Sequence, residues 1–245
     1  MKHVYYLKQL ICLFTAVLLL SGSALAAVCD MRIDSDGDMC RECSLGNFAA
    51  DAIRAYTGAD IALFASGDLG ITLPAGDVTP ERIADSFPED KPIVVMEVTT
   101  EELRILLEES LSHIVLTEAE VIDPVASAYE GYFCISGFEY TCDASAPVGQ
   151  RVYVLPLKDE TLTLAISSEY AGGDKVCTIR EAVTAYCGQL ETVAPPMDND
   201  RILVIGAGEN RIIGGMIPPY FVILLTVVVI VFSGARYRRR LNTER

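Results

Sequence analysis

Apolar positions along the chain change period several times. From Ser44 to Thr57, Leu45, Phe48, Ala49, Ala52, Ile53 and Tyr56 recur at helical spacing, which predicts an amphipathic helix. Gly58 stands where a left-handed terminating residue is expected. Residues 59–65 are nearly all apolar, as in a buried strand, and residues 66–70 (Ser-Gly-Asp-Leu-Gly) read as a tight turn. Thr79-Pro80-Glu81 opens a second helix, with Thr as cap and Pro at the first position. Pro92–Val98 is a strand. Thr99 and Glu102 form a capping box ahead of a helix over 101–112, lined on one face by Leu103, Leu106, Leu107 and Leu111. Strands are predicted over 132–141, 151–155 and Leu162–Ser167, a loop over 170–174, and a last helix from the Thr178/Glu181 box to about 190. Helices and strands mix without a strict βαβ rhythm, so the expected class is α+β.

Two apolar runs lie outside this pattern. Residues 10–20 follow Lys2 and Lys8 and precede the small residues of 21–26, which end in Ala-Leu-Ala; this is the layout of a secretory signal peptide over 1–26. The alternative, an uncleaved anchor, sits poorly with so short a run. Residues 212–235 carry no charge and are long enough to span a hydrocarbon core. Arg236, Arg238, Arg239 and Arg240 follow, which places that end in the cytoplasm. The expected product is a single-pass cell-membrane protein with an extracellular N-terminal domain. An acidic leader (27–39) precedes a domain over 40–202; then come a juxtamembrane segment (203–211), the transmembrane helix (212–235) and a basic cytoplasmic tail (236–245).

Charge sharpens this picture. The whole chain carries a formal −15, but residues 27–211 hold 12 basic against 33 acidic residues. So acidic a domain excludes nucleic acid as a partner, since a polyanion needs clustered Lys and Arg. The 51% hydrophobic content argues against disorder, although the two terminal runs inflate it.

Candidate chemistry is sparse. With the signal removed, seven cysteines remain: Cys29, Cys40, Cys43, Cys134, Cys142, Cys177 and Cys187. Export makes disulfides the expectation, with one thiol left over or bonded to another chain. Cys40 and Cys43 form a Cys-x-x-Cys without the βαβ context of a thioredoxin-like redox site and without the second pair that zinc needs. The acidic run 34–38 resembles part of a calcium loop but lacks the later Glu; a solvated linker is the better reading. Glu101-Glu102 and Glu108-Glu109 read as solvated helix face. His113, the one histidine past the signal, ends an apolar helix, where packing is its expected role.

The runs Arg41-Glu-Cys-Ser-Leu-Gly-Asn-Phe-Ala-Ala-Asp-Ala52, Ala59-Asp-Ile-Ala-Leu63, Gly76-Asp-Val-Thr79 and Phe87-Pro88 with Ile93-Val-Val-Met-Glu-Val-Thr99 are joined by Tyr132-Phe-Cys-Ile-Ser-Gly137, Gly149-Gln-Arg-Val152, Gly172-Gly-Asp174 and Arg201-Ile202. In this order and spacing they resemble the C-terminal domain of the 5′-nucleotidases over residues 38–202. In that family the domain positions the nucleotide and a separate metallophosphatase half does the chemistry. The resemblance implies two aromatic rings that clamp a base, matched by Tyr132 and by Tyr170, whose loop is about two residues shorter here. Asp174 matches the acid of the Gly-Gly-Asp motif on the nucleoside side, and Arg41 is an off-register candidate for a phosphate contact. The family's Asn-Gly-Gly-x-Ile-Arg turn is altered: Ala65 stands for the base-contacting Asn and Gly70 for the phosphate-contacting Arg, while Asp68 adds a negative charge.

Only about a dozen residues separate the signal from Arg41, and one histidine cannot build a dinuclear metal site. The expectation is therefore a chain that is not catalytic alone and holds no metal or cofactor. Its first role is as a binding module for a nucleoside or related small molecule. Two alternatives stand beside it: an accessory specificity subunit for a separate metallophosphatase, and a surface interaction protein with a degenerate pocket.

Overall fold

The computed structural model describes residues 27–207, apart from 30, 36–38, 158–160, 191 and 197–199. The expected signal peptide (1–26), transmembrane helix (212–235) and cytoplasmic tail (236–245) lie outside the described residues. Among the described residues no helix is long and apolar enough to cross a membrane.

In chain order the elements are β1 (Val28–Cys29), α1 (Ser44–Thr57), β2 (Ile61–Ala65), β3 (Gly76–Asp77), α2 (Pro80–Ser86), β4 (Pro92–Val98), α3 (Thr100–Leu111), β5 (Phe133–Ser136), β6 (Tyr140–Asp143), β7 (Val152–Val154), β8 (Leu162–Ser167), β9 (Lys175–Thr178), α4 (Ile179–Gln189), β10 (Thr192–Val193) and β11 (Ile202–Ile205). A 3₁₀ turn, Ser66–Asp68, follows β2. The fold is α+β, built on a mixed five-stranded sheet of order β5-β2-β8-β4-β9, with two three-stranded sheets, β10-β1-β3 and β11-β6-β7. Within the central sheet only β2 and β8 run parallel.

Period-2 alternation sends β2 into two cores. Ala62 and Phe64 pack with α1, α2 and α4; Ile61, Leu63 and Ala65 pack with α3, β6 and β7. That is why its sequence reads as an unbroken apolar run: both faces are covered. Helix starts follow the predicted caps. Thr79 accepts from the Arg82 N–H, and complete capping boxes open α3 at Thr99 and α4 at Thr178. Gly58 ends α1 in the left-handed region at φ 69°.

Three expectations change. The single strand over 132–141 is two, in different sheets: β5 pairs with β2, whereas β6 pairs with β7 and β11. The break is at Gly137, at φ 93°, where a Cβ would stand 2.4 Å from the Asp60 carbonyl oxygen. The leader does not merely precede the domain: Ala27, Cys29 and Ile33 are buried in it and Ile33 bridges to Leu73, while Val28 and Met31 are exposed and residues 36–38 of the acidic run lie outside the described residues. Glu108 is not a free helix-face carboxylate. It accepts the backbone N–H groups of Arg151 (2.9 Å) and Val152 (2.7 Å), while the buried Arg151 guanidinium donates to the Leu111 and Ser112 carbonyls at the end of α3. The Gly149–Val152 motif thus ties a loop to a helix end. Glu102 serves in the α3 capping box.

Candidate functional site

Strand direction brings five chain segments to one edge of the central sheet. β2 and β8 end there, β4 and β5 start there, and the Thr178 end of β9 lies beside Pro92. The loops leaving this edge carry the altered turn 65–70, Lys91, Glu169-Tyr170 and the 129–132 segment. Loops at the ends of sheet strands are where side chains can converge without filling the core.

The turn after β2 is held by backbone bonds. The N–H of Ser66 donates to the Tyr132 carbonyl (2.8 Å) and that of Gly67 to the Glu130 carbonyl (2.9 Å). A Cβ at position 67 would meet Glu130 at 2.5 Å, so glycine is what lets the two segments touch. The approach points Asp68 at Lys91, which contacts three carboxylates: Asp68 at 2.5 Å, Glu169 at 2.7 Å and Glu89 at 3.5 Å. Burial opposes the Lys91 charge, but the bonds to Asp68 and Glu169 outweigh it and hold the ammonium above the ordinary lysine pKa. Burial pushes Asp68 up, against the pull of Lys91. Three acids around one ammonium leave the cluster net negative. The buried Ser66 hydroxyl has no hydrogen-bond partner among the described residues.

Tyr170 is half-buried in this edge, its ring meeting Phe133 edge-on (centroids 4.9 Å, 77°). Burial pushes its phenol up to about 12, so it is neutral at physiological pH. Tyr132 is elsewhere. Its ring is 2% exposed in the core beneath the edge, and burial holds its phenol well above the ordinary value. A fully packed ring has no face to offer a ligand, so the structure does not bring Tyr132 and Tyr170 together as a clamp. The aromatic that does flank the edge is Tyr129, half-buried and stacked on the exposed His113 ring at 4.1 Å and 19°. His113 thus packs, as a cover on an aromatic ring at the protein surface. Gly131 makes room for Tyr129: a Cβ there would lie 2.7 Å from its ring. Nothing in the sequence pattern singled out Tyr129; pairing of β5 with β2, with Phe133 opposite Ala65, is what sets the 129–132 segment against the turn after β2.

Arg41 is half-buried, and its segment reaches the same edge, since the Tyr129 N–H donates to the Met39 carbonyl (3.0 Å). Asp174 is exposed, beyond Gly173 at φ 149°. Among the described residues no His, Cys, Asp and Glu cluster is arranged to hold a metal. A wide hollow of about 490 Å³ lies at the other end of β5, around Asp51, Arg54, Ser136 and Arg201. Both of its arginines are engaged: Arg201 binds Asp51 (2.8 Å), and Arg54 donates to the Asp60 carbonyl (2.9 Å).

These features define an α+β domain whose loops gather small aromatic and charged groups at one sheet edge. Residues 23–171 match the family model of the 5′-nucleotidase C-terminal domain, and the chain belongs to that family. Solved structures show the same fold. A 5′-nucleotidase precursor from Thermus thermophilus superposes with TM-score 0.63 at 20% identity, covering 83% of this chain and 44% of that one. The sulfate thiohydrolase SoxB of the same organism gives 0.59 at 16%, covering 82% and 39%, and the Haemophilus influenzae NAD nucleotidase 0.58 at 12%, covering 81% and 41%. The chain thus spans less than half the length of each of these proteins. No curated protein sequence matches it.

Proposed function

We propose that the domain is an extracellular, membrane-anchored, non-catalytic module that binds an uncharged nucleoside at the sheet edge around Tyr170. The observation that supports this most is the half-exposed Tyr170 ring, braced edge-on by Phe133 beside an acid-rich cluster. A braced aromatic face binds a flat base by stacking. The surplus of carboxylates over Lys91 disfavours a phosphate. Tyr129 takes the part that the family resemblance gives to Tyr132, with Asp174 and Arg41 at the rim. Titration calorimetry of the full chain in detergent with a nucleoside panel tests this. Adenosine or another nucleoside is expected to bind, its monophosphate more weakly. Tyr170→Ala is expected to lower affinity about 10-fold or more, the loss of one stacked base, while Tyr132→Ala lowers thermal stability. No heat with any nucleoside overturns the reading.

A second reading, supported by the fold shared with the Thermus thermophilus 5′-nucleotidase precursor, is an accessory specificity subunit for a separate metallophosphatase. Metal-dependent nucleotidase activity appearing only on mixing the two chains supports it; an inactive mixture counts against it.

A further inference from the structure

The seven described cysteines are all buried thiols, and two of them meet across the fold. Cys43 is the residue that caps α1: its sulfur accepts the Gly46 N–H at 3.4 Å. Cys134 is in the middle of β5, fully buried, and its side chain is hydrogen-bonded to that of Cys43. Gly46 is what admits the second sulfur. A Cβ built there would stand 2.3 Å from the Cys134 sulfur and 3.2 Å from that of Cys43, so both thiols fill the space a side chain would take.

We propose that Cys43 and Cys134 form a disulfide that staples the start of α1 to β5. The two thiols are unlike. The bond from Cys134 and the helix N–H hold Cys43 below the ordinary thiol pKa, whereas the same bond and burial push Cys134 up. Cys43 is therefore the first nucleophile. Its thiolate attacks a sulfur of a donor disulfide and expels one donor thiolate. Cys134 then loses its proton and attacks the Cys43 sulfur of the mixed disulfide, releasing the second donor thiol. Two protein S–H bonds are exchanged for one S–S bond, and the donor disulfide takes up the two electrons and two protons. The link closes a loop of about ninety residues, long enough for a large restriction of the unfolded chain. It also lies next to the candidate edge: Phe133, which braces Tyr170, precedes Cys134, and Arg41 is two residues from Cys43. The proposal does not depend on what that edge binds.

Non-reduced peptide mapping of the full chain tests it. The protein is purified in detergent without reductant, or equilibrated with glutathione disulfide, and remaining thiols are trapped with N-ethylmaleimide under denaturing conditions. Cleavage after Arg41 and Arg54 isolates Cys43 from Cys40, and cleavage after Glu130 and Glu139 isolates Cys134 from Cys142. The expected product is the two peptides joined. Recovery of both as maleimide adducts overturns the proposal, as does Cys43 joined to Cys40. Cys134→Ser is expected to render Cys43 alkylatable. The wild-type map needs no variant, so it decides the matter even where that substitution fails to fold.

Discussion

Arg201→Ala is expected to destabilise the domain by about 3–5 kcal/mol, the loss that follows when one partner of a buried ion pair is removed. Arg201 is 5% exposed. Its guanidinium pairs with both Asp51 oxygens (2.8 and 2.9 Å) and donates to the Ile135 carbonyl at 2.6 Å. Asp51 is also the acceptor for the Ser136 hydroxyl. One side chain on the approach to β11 therefore joins α1, the end of β5 and the small sheet. Deleting it leaves a carboxylate and a carbonyl with reduced access to water, which is why the effect should exceed that of a surface pair. Urea melts of wild type, Arg201→Ala and Arg201→Lys check this. Lysine keeps the charge but not the two-pronged geometry, so it should recover only part of the loss. A change below about 1 kcal/mol for Arg201→Ala, the range of an exposed pair, would show that the pair is screened by water.

The second large effect is a pH dependence. Glu42 accepts the Asn47 amide at 2.6 Å and the backbone N–H groups of Arg201 (3.2 Å) and Ile202 (3.1 Å). Burial nonetheless pushes its carboxyl from about 4.5 up to about 7. The folded state then binds a proton more tightly than the unfolded chain, so this group's contribution to stability falls as pH rises from about 4.5 to about 7 and is level above that. The full span amounts to about 3 kcal/mol, from the free energy of one pKa unit. Glu42→Gln, which cannot ionise, is expected to flatten the profile across that window and to be the more stable of the two at mildly alkaline pH. Equal pH slopes for wild type and variant would refute the assignment. The carboxyl stands two residues before α1 and ties that segment to Arg201 and to Ile202, the first residue of β11, so its ionisation is felt at the joint between the two ends of the domain.

How far the site was readable from the sequence depends on the residue. Tyr170 and the altered turn at 65–70 sit in motifs whose order alone placed them on loops, and the structure carries both to one sheet edge. Tyr132 belongs to an equally good motif, yet its ring is in the core. Alternation along a strand leaves open what covers each face, and the pairing of β5 with β2 decides that the residue just ahead of β5 packs inward. Lys91 had no signal at all. Glu89 is a near neighbour in sequence, but Asp68 and Glu169 are about a hundred residues apart and reach Lys91 because β8 lies between β2 and β4.

Local chemistry determined much. Side-chain caps at Thr79, Thr99 and Thr178, the αL glycine at 58, helical spacing over Ser44–Thr57 and the apolar run of β2 each act within a few residues, so the sequence by itself settled both ends of α1, the starts of the other three helices to within a residue, and the end of β2. The family resemblance followed from the same local runs. Long-range pairing decided the rest: the split of 132–141 into two sheets at Gly137, the burial of Ile33, the Arg201–Asp51 link, and the meeting of Cys43 with Cys134. Such contacts join positions whose sequence separation carries no period, and their energies appear only when sheet register and helix docking bring the partners within bonding distance.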